Sequence, residues 1–248
     1  MQFIKTLIRL SVLLLPCQLV AQSSPLPQGS KHLHFLDRLE ILMQDHPDLN
    51  FSAMKPFGRK YAVMAAKLAD SLDRKYPYDY YFHLSPVDKY NLQSLLMNNA
   101  EWSGVDSNSF KSRKPLFNAF YKHKADFYRV NEKDFFMAIN PVIQQQQSLE
   151  AGNGQRVFLN SKGITLRGLI AKKVGFDFYL TDNQERPPLF AKKYFENFQA
   201  VPGAGFYKPF KKTAYDYFDG RGSIYFNAAK YFNLQFGYDR NFIGNGYR

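Results

Sequence analysis

Between Asp182 and Ala214 the chain gathers six basic side chains, Arg186, Lys192, Lys193, Lys208, Lys211 and Lys212, against the acidic Asp182, Glu185 and Glu196. Seven aromatic rings stand among them: Phe190, Tyr194, Phe195, Phe198, Phe206, Tyr207 and Phe210. This mixture suits carbohydrate, because rings stack on the apolar faces of sugars and Lys or Arg pairs with uronate or phosphate groups. An ordinary surface loop has the same composition when its rings pack on one another and its lysines meet lipopolysaccharide. A second polar group, Asp239, Arg240 and Arg248, also allows two readings. It is either a contact to polysaccharide or a salt-bridge network inside a β-wall.

No nucleophile elbow, phosphate-cradling loop or metalloprotease pair occurs, so no catalytic residue is expected and the protein is not read as an enzyme. Of the five histidines only His32 and His34 are close. As alternate residues of an extended piece they would share a face, but two histidines without a third ligand make no metal site. No metal or other cofactor is expected.

Met1–Ala21 has the parts of a secretory signal: Lys5 and Arg9, then the apolar Leu10–Leu15, then Leu19-Val20-Ala21 before a cut at Gln22. The apolar part is too short to span a bilayer as a helix, which takes about 20 residues. Pro16 stands where a lipoprotein has a small residue before its cysteine, which argues against lipidation of Cys17. Loss of the leader removes that cysteine, the single one in the chain, and with it any disulfide or thiolate chemistry. The formal charge of +12 falls by two when Lys5 and Arg9 leave. Export excludes nucleic acid as the partner of this basic chain, leaving lipopolysaccharide phosphates, acidic polysaccharide and anionic lipid.

The elements that position these groups fall into two regions. A leader at Ser23–Ser30 precedes a helix over His34–Met43 built on Phe35, Leu36, Leu39 and Leu42 or Met43; a strand on Leu39 and Ile41 is the alternative. Pro47 and Pro56 bracket a short extended piece. Tyr61, Met64, Ala65, Leu68 and Leu72 recur at three and four residues and predict an amphipathic helix over Arg59–Arg74. Tyr76–Phe82 reads as a turn and an aromatic strand. Ser85-Pro86-Val87-Asp88 is a helix start, and that helix carries Tyr90, Leu92, Leu95 and Leu96 to near Asn99. Residues 22–130 thus form a small, mostly helical domain.

After Asn131 the period becomes two. Phe135, Met137 and Ile139 alternate with Phe136, Ala138 and Asn140; Ile164, Leu166, Gly168 and Ile170 with Thr165, Arg167 and Leu169. Val174, Phe176, Phe178 and Leu180 alternate with Gly175, Asp177, Tyr179 and Thr181; Ile224 and Phe226 with Tyr225 and Asn227. Phe232, Leu234, Phe236 and Tyr238 alternate with Asn233, Gln235, Gly237 and Asp239. Short turns at Ala171-Lys-Lys173 and Ala228-Ala-Lys230 oppose long excursions over Gln144–Ser161 and Thr181–Tyr215. That asymmetry is the one of outer-membrane barrels, whose short turns are periplasmic. Strand parity then puts the helical domain on the periplasmic side or in the lumen, and Asp239–Arg248 at the outer rim. Gly244 and Gly246 read as sites of a bulge or close strand approach.

Three stretches carry a family resemblance: Leu36-Asp-Arg-Leu-Glu-Ile-Leu42, Lys55-Pro-Phe-Gly-Arg59 and Gly237-Tyr-Asp-Arg-Asn-Phe-Ile-Gly-Asn-Gly-Tyr-Arg248. Together they resemble the capsule-assembly Wzi family of outer-membrane proteins in its Bacteroidetes form, which includes gliding-motility RemB-like proteins. In the last stretch Gly237, Asn241, Gly244, Gly246 and Tyr247 frame the motif. The resemblance implies a helical part associated with a many-stranded barrel, a non-enzymatic role in anchoring capsular polysaccharide or exopolysaccharide at the surface, and outer-membrane lipid, lipopolysaccharide and acidic capsular polysaccharide as partners. Family members continue beyond the position of Arg248, and five strands fall short of the eight a bacterial barrel needs. The expectation is therefore an α+β chain: residues 1–21 a signal peptide, 22–130 a mostly helical periplasmic or plug domain, and 131–248 the first antiparallel strands of an incomplete outer-membrane β-barrel. The competing reading is a secreted or periplasmic soluble β-protein, a carbohydrate-binding or adhesin module.

Overall fold

A computed structural model describes residues 23–27, 29–44, 54–55, 57–76, 82–105, 107–229 and 232–243. The expected signal, the piece between Pro47 and Pro56 save Met54–Lys55, the aromatic strand at 77–81, and Gly244, Gly246, Tyr247 and Arg248 lie outside the described residues.

Helix α1 (Lys31–Met43) starts at Ser30, whose Oγ accepts from the His32 N–H at 3.3 Å. Phe35, Leu36 and Leu39 lie buried along one side, so the helical reading holds over the strand alternative. Helix α2 (Arg59–Lys75) forms as expected but turns a different face inward. Ala62, Val63, Ala65, Ala66 and Ala69 are buried, while Met64 and Leu68 look outward. The small residues form a flat row, and small side chains at the contact let helix axes approach closely. Helix α3 (Pro86–Asn98) begins with a capping box, in which Ser85 Oγ accepts from the Asp88 N–H at 3.2 Å and Asp88 Oδ2 accepts from the Ser85 N–H at 3.0 Å. Arg38 of α1 grips the same carboxylate through two nitrogens at 2.7 and 3.0 Å, tying α1 to the start of α3. Leu92 and Leu95 face the core, whereas Tyr90 is exposed with Lys31 Nζ 5.0 Å from its ring. A single turn, α4 (Ala100–Ser103), follows. Leu26, Leu39, Val63, Leu84 and Leu95 fill the centre of this bundle.

A 3-10 turn at Ser107–Phe110 and irregular chain lead into the sheet. Its strands are β2 (Tyr128–Asn131), β3 (Phe135–Ser148), β4 (Val157–Ile170) and β5 (Val174–Arg186), then, after helix α5 (Leu189–Phe198), β6 (Ala200–Val201), β7 (Gly205–Phe210), β8 (Ala214–Ala229) and β9 (Phe232–Tyr238). Every pairing is antiparallel, in the order β2-β3-β4-β5-β8-β7-β6. Strands β7 and β9 share the far edge of β8, β7 along Ala214–Tyr217 and β9 along Gly222–Ala229. A two-residue pair, β1 (Met54–Lys55) with β10 (Phe242–Ile243), joins the helical region to the chain beyond β9. Among the described residues the sheet is open, β2 and β9 each having one neighbour. The architecture is α+β.

The two long excursions are more ordered than alternation suggested. Strands β3 and β4 stay paired through Gln144–Ser148, so the first connection shrinks to 149–156. Alternation fades there because exposed glutamines carry no face preference, yet the backbone ladder continues. The second excursion is built as the end of β5, helix α5 and the β6–β7 hairpin. At the other end Ala228 and Ala229 belong to β8 rather than to the turn assigned to Ala228-Ala-Lys230.

Directly opposed residues of paired strands share a face. Register places Ile139, Leu166, Phe178 and Tyr238 on one side, as it does Met137, Gly168, Phe176, Ile224 and Phe236. Val174, Phe176, Phe178 and Leu180 therefore do share a face with Phe232, Leu234, Phe236 and Tyr238. The other side carries Arg167, Asp177, Tyr179, Thr181, Asp219, Arg221, Ser223, Tyr225 and Gln235. The helical bundle meets this polar side, where Trp102 packs beside Phe136, Ala138 and Leu169.

Candidate functional site

The junction of bundle and sheet centres on Arg167, buried on β4. Its guanidinium pairs with Glu101 of α4, donates to the Asn98 carbonyl at 2.9 Å and lies 3.4 Å from Asp126 Oδ1. Arg129 of β2 stands 3.9 Å from Asp126 Oδ2, and both arginines sit about one ring's width over Phe136, at 5.2 and 5.0 Å from its centroid. Arg59, the last residue of the Lys55-Pro-Phe-Gly-Arg59 stretch, is buried nearby. It donates to the Pro25 carbonyl at 3.0 Å and to Asn99 Oδ1 at 2.6 Å. Burial, then the Arg167 charge, lowers its pKa to about 9, which leaves it cationic at neutral pH. Burial and then the Arg129 charge push His123 below its ordinary value, against the pull of Asp126 at 3.4 Å.

Above this junction the polar side continues as a chain of contacts. Asp177 opposes Arg167 on one neighbour and Ser223 on the other. The Tyr225 hydroxyl donates to Asp239 Oδ2 at 3.1 Å, and Gln235 Nε2 donates to Ser223 Oγ at 3.1 Å. Arg221 lies on the Tyr179 ring at 4.3 Å and reaches Asp219 Oδ1 at 3.1 Å. Arg240 Nη2 donates to the Gly203 carbonyl at 3.2 Å and lies 3.5 Å from Asp219 Oδ2. Asp239 and Arg240 thus belong to a network of contacts along the sheet. Gly237 is needed for this approach, since a side chain there would overlap the Gly222 carbonyl oxygen. Asn241 is exposed, between Arg240 and β10.

The excursion forms the upper end of the polar side. Phe195 of α5 is buried against Tyr215 and Tyr207, with ring centroids 5.4 and 6.3 Å away, and Glu196 Oε1 accepts from the Tyr215 hydroxyl at 3.2 Å. Its basic residues are unequal. Arg186 is occupied by Thr213 Oγ1 at 3.0 Å, the Arg156 carbonyl at 3.0 Å and the Phe158 ring. Lys192 lies 3.8 Å from Glu196, Lys208 opposes Asp216, and Lys211 covers the Phe210 ring. Lys193, Lys211 and Lys212 are exposed and enter no ion pair among the described residues. The structure therefore brings Asp239 and Arg240 into one group and leaves the excursion's lysines in another; the two meet at the Arg240–Gly203 contact.

Glu101, Asp126 and Arg167 were not singled out by their sequence context. For Arg167 a signal existed: a full charge in the polar phase of an otherwise apolar strand requires a partner. Its partners stand on α4 and in the irregular chain before β2, at separations of 66 and 41 residues that periodicity does not read. His32 and His34 point apart, since they sit in a helix rather than an extended piece; His32 is buried and His34 exposed. Among the described residues no group of three His, Asp or Glu side chains is placed to hold a metal.

The buried His32 makes the bundle acid-sensitive. Burial, then Lys31 and Arg59, lower its pKa from 6.5 to about 4. A group with a depressed folded value contributes its stability above the unfolded value and loses it as pH falls through the folded one. Helical stability should therefore decline between about pH 6.5 and 4, by about 3 kcal/mol. His123, shifted the same way, adds to the effect. Thermal melts by circular dichroism across that range test this, and His32→Asn should flatten the profile; an unchanged slope in the variant would assign the sensitivity elsewhere.

No family model matches the chain, and no curated protein or solved structure matches it either.

Proposed function

We propose that the protein is a non-enzymatic outer-membrane β-barrel protein that holds capsular or other surface polysaccharide, with the sheet as barrel wall and the helical bundle docked on its lumenal side. One observation carries this reading: the sheet has an exposed apolar face of limited height, and an opposite face that is mostly polar apart from the patch of Phe136, Ala138 and Leu169 under the bundle. On the apolar face rows of Ile, Leu, Val and Phe run from Ile170 and Val174 up to Ile164 and Leu180, about 20 Å along the strand at 3.4 Å per residue. Above them comes a mixed row of Ile143, Lys162, Asp182 and Phe218, and then the polar row of Gln145, Asn160, Gln184 and Asp216. An apolar band of limited height on the outside and polar groups inside is the pattern of a transmembrane barrel. The strands are long enough, β3 and β4 having 14 residues and β8 having 16, against the roughly 9–11 a tilted spanning strand needs. Among the described residues no helix is long and apolar enough to cross a membrane.

A soluble sandwich would cover its apolar face with a second sheet, whereas Phe178, Ile224, Leu234 and Phe236 are each 40 % exposed or more. An open sheet is costly in lipid, where each unpaired backbone group costs several kcal/mol. In the bilayer, then, β2, the upper half of β3 and β9 require further strands beside them. The polysaccharide role rests on the resemblance of the quoted stretches to the Wzi family and on the basic, aromatic end of the polar face.

Fractionation of cells producing the protein tests the membrane part: recovery in the outer membrane, released by detergent but not by high salt or carbonate, is expected. Recovery in the periplasm or medium would overturn it. Loss of the protein should shift polysaccharide from the cell surface to the medium, and unchanged retention would remove the polysaccharide role.

A further inference from the structure

We propose that helix α5 carries a sugar-stacking platform, formed by Phe190, Tyr194 and Phe198, for an acidic polysaccharide on the polar side of the wall. The proposal rests on the surface-polysaccharide reading and names the site that would do the holding. The three rings recur every four residues and so line one flank of the helix, about 6 Å apart, on the scale of a single sugar ring. They are 78, 45 and 62 % exposed, and the Tyr194 and Phe198 centroids lie 4.4 Å apart.

Exposed rings in a row usually mark an interaction site. Which side of the wall they stand on decides between lipid and sugar. Helix α5 is anchored through Phe195 to Tyr215 and Tyr207 and through Glu196 to the Tyr215 hydroxyl. Tyr215 opposes Glu185 and Tyr207 opposes Tyr217, which register places on the same side as Asp219 and Arg221. The rings therefore belong to the hydrated side, away from the apolar band. An aromatic row bathed in water suits a ligand with apolar C–H faces and many hydroxyls, which is a saccharide.

Charge selects among saccharides. Lys193 adjoins Tyr194 in the row, and Lys211 and Lys212 lie at the same end of the sheet, all three exposed and outside the ion pairs of the described residues. Ammonium groups so placed favour uronate or phosphate substituents.

The full protein in detergent, titrated calorimetrically with polygalacturonate oligosaccharides, neutral dextran oligosaccharides and phosphatidylglycerol vesicles, tests the proposal. Polygalacturonate should bind, more weakly as salt rises. Tyr194→Ala with Phe198→Ala should weaken it about tenfold or more, while Tyr194→Phe keeps the ring and the affinity. Phe190→Ala, at a site too exposed to matter for folding, should weaken binding with an unchanged melting curve. Lys193→Gln should reduce the salt dependence. Binding of polygalacturonate that ignores every ring substitution overturns the platform and leaves the surface-polysaccharide reading standing. Binding of the anionic vesicles alone, or of none of the probes, overturns the proposal; polysaccharide retention on cells then judges the broader reading separately.

Discussion

Arg167→Met is expected to weaken the docking of the helical bundle on the sheet by about 3–5 kcal/mol. The guanidinium is buried and satisfies Glu101, Asp126 and the Asn98 carbonyl together. Removing it strands the Glu101 carboxylate away from water and leaves Asp126 to Arg129 and His123, and the cost of an unpaired buried charge exceeds the net worth of the intact pair. Met fills the volume and keeps contact with Phe136, so the loss reports charge rather than a cavity. Adding Glu101→Gln should recover more than 1 kcal/mol, because it removes the stranded charge. Hydrogen exchange in α3 and α4 of the detergent-solubilised protein reads the docking directly. Protection that stays unchanged in Arg167→Met would mean the junction is held by Trp102 against Phe136, Ala138 and Leu169 instead.

The same junction shows where the sequence was informative and where it was not. Local signals read well: Ser85-Pro86-Val87-Asp88 started α3 with the full capping box, and the two-residue period gave the five strands and the apolar face they share. These depend on neighbours within a few residues, or on one alternating phase. The buried face of α2 was misjudged because Met64 and Leu68 outweigh alanine on any hydrophobicity count, while the packing selected the flat alanine row. Helix α5 was hidden in what read as loop, since its aromatics are spread over an exposed flank and a single inward Phe195.

The three stretches that carry the family resemblance gain a structural meaning from their contacts. Arg38 of Leu36-Asp-Arg-Leu-Glu-Ile-Leu42 clamps the α3 cap, and Arg59 of Lys55-Pro-Phe-Gly-Arg59 holds Pro25 and Asn99. Both tie parts of the bundle together. Asp239 and Arg240 likewise close onto Tyr225, Asp219 and Gly203. A charged residue in a motif has one appearance in sequence for either role, and only the distance to its partner separates them.

The membrane reading has its sharpest consequence at Phe176, in the middle row of the apolar face between Gly168 and Ile224. Its ring lies beside Phe178, 6.3 Å between centroids, and leaves no room for a side chain at Gly168. In a bilayer this row sits well inside the hydrocarbon, so Phe176→Lys should cost about 2–4 kcal/mol, and Phe236→Lys about the same. Asn233 stands on the opposite face, across from Asn227, and Asn233→Lys should cost about 0–1 kcal/mol, as expected for an exposed polar position. Urea titrations of the protein refolded into phosphatidylcholine vesicles give the three values on one scale. In water the ranking would compress, because Phe236 is 78 % exposed and a lysine there is well hydrated. A large penalty at Phe236 in vesicles with a small one at Asn233 places the apolar face against lipid. Equal tolerance at the two positions would return the sheet to the aqueous phase and with it the whole barrel reading.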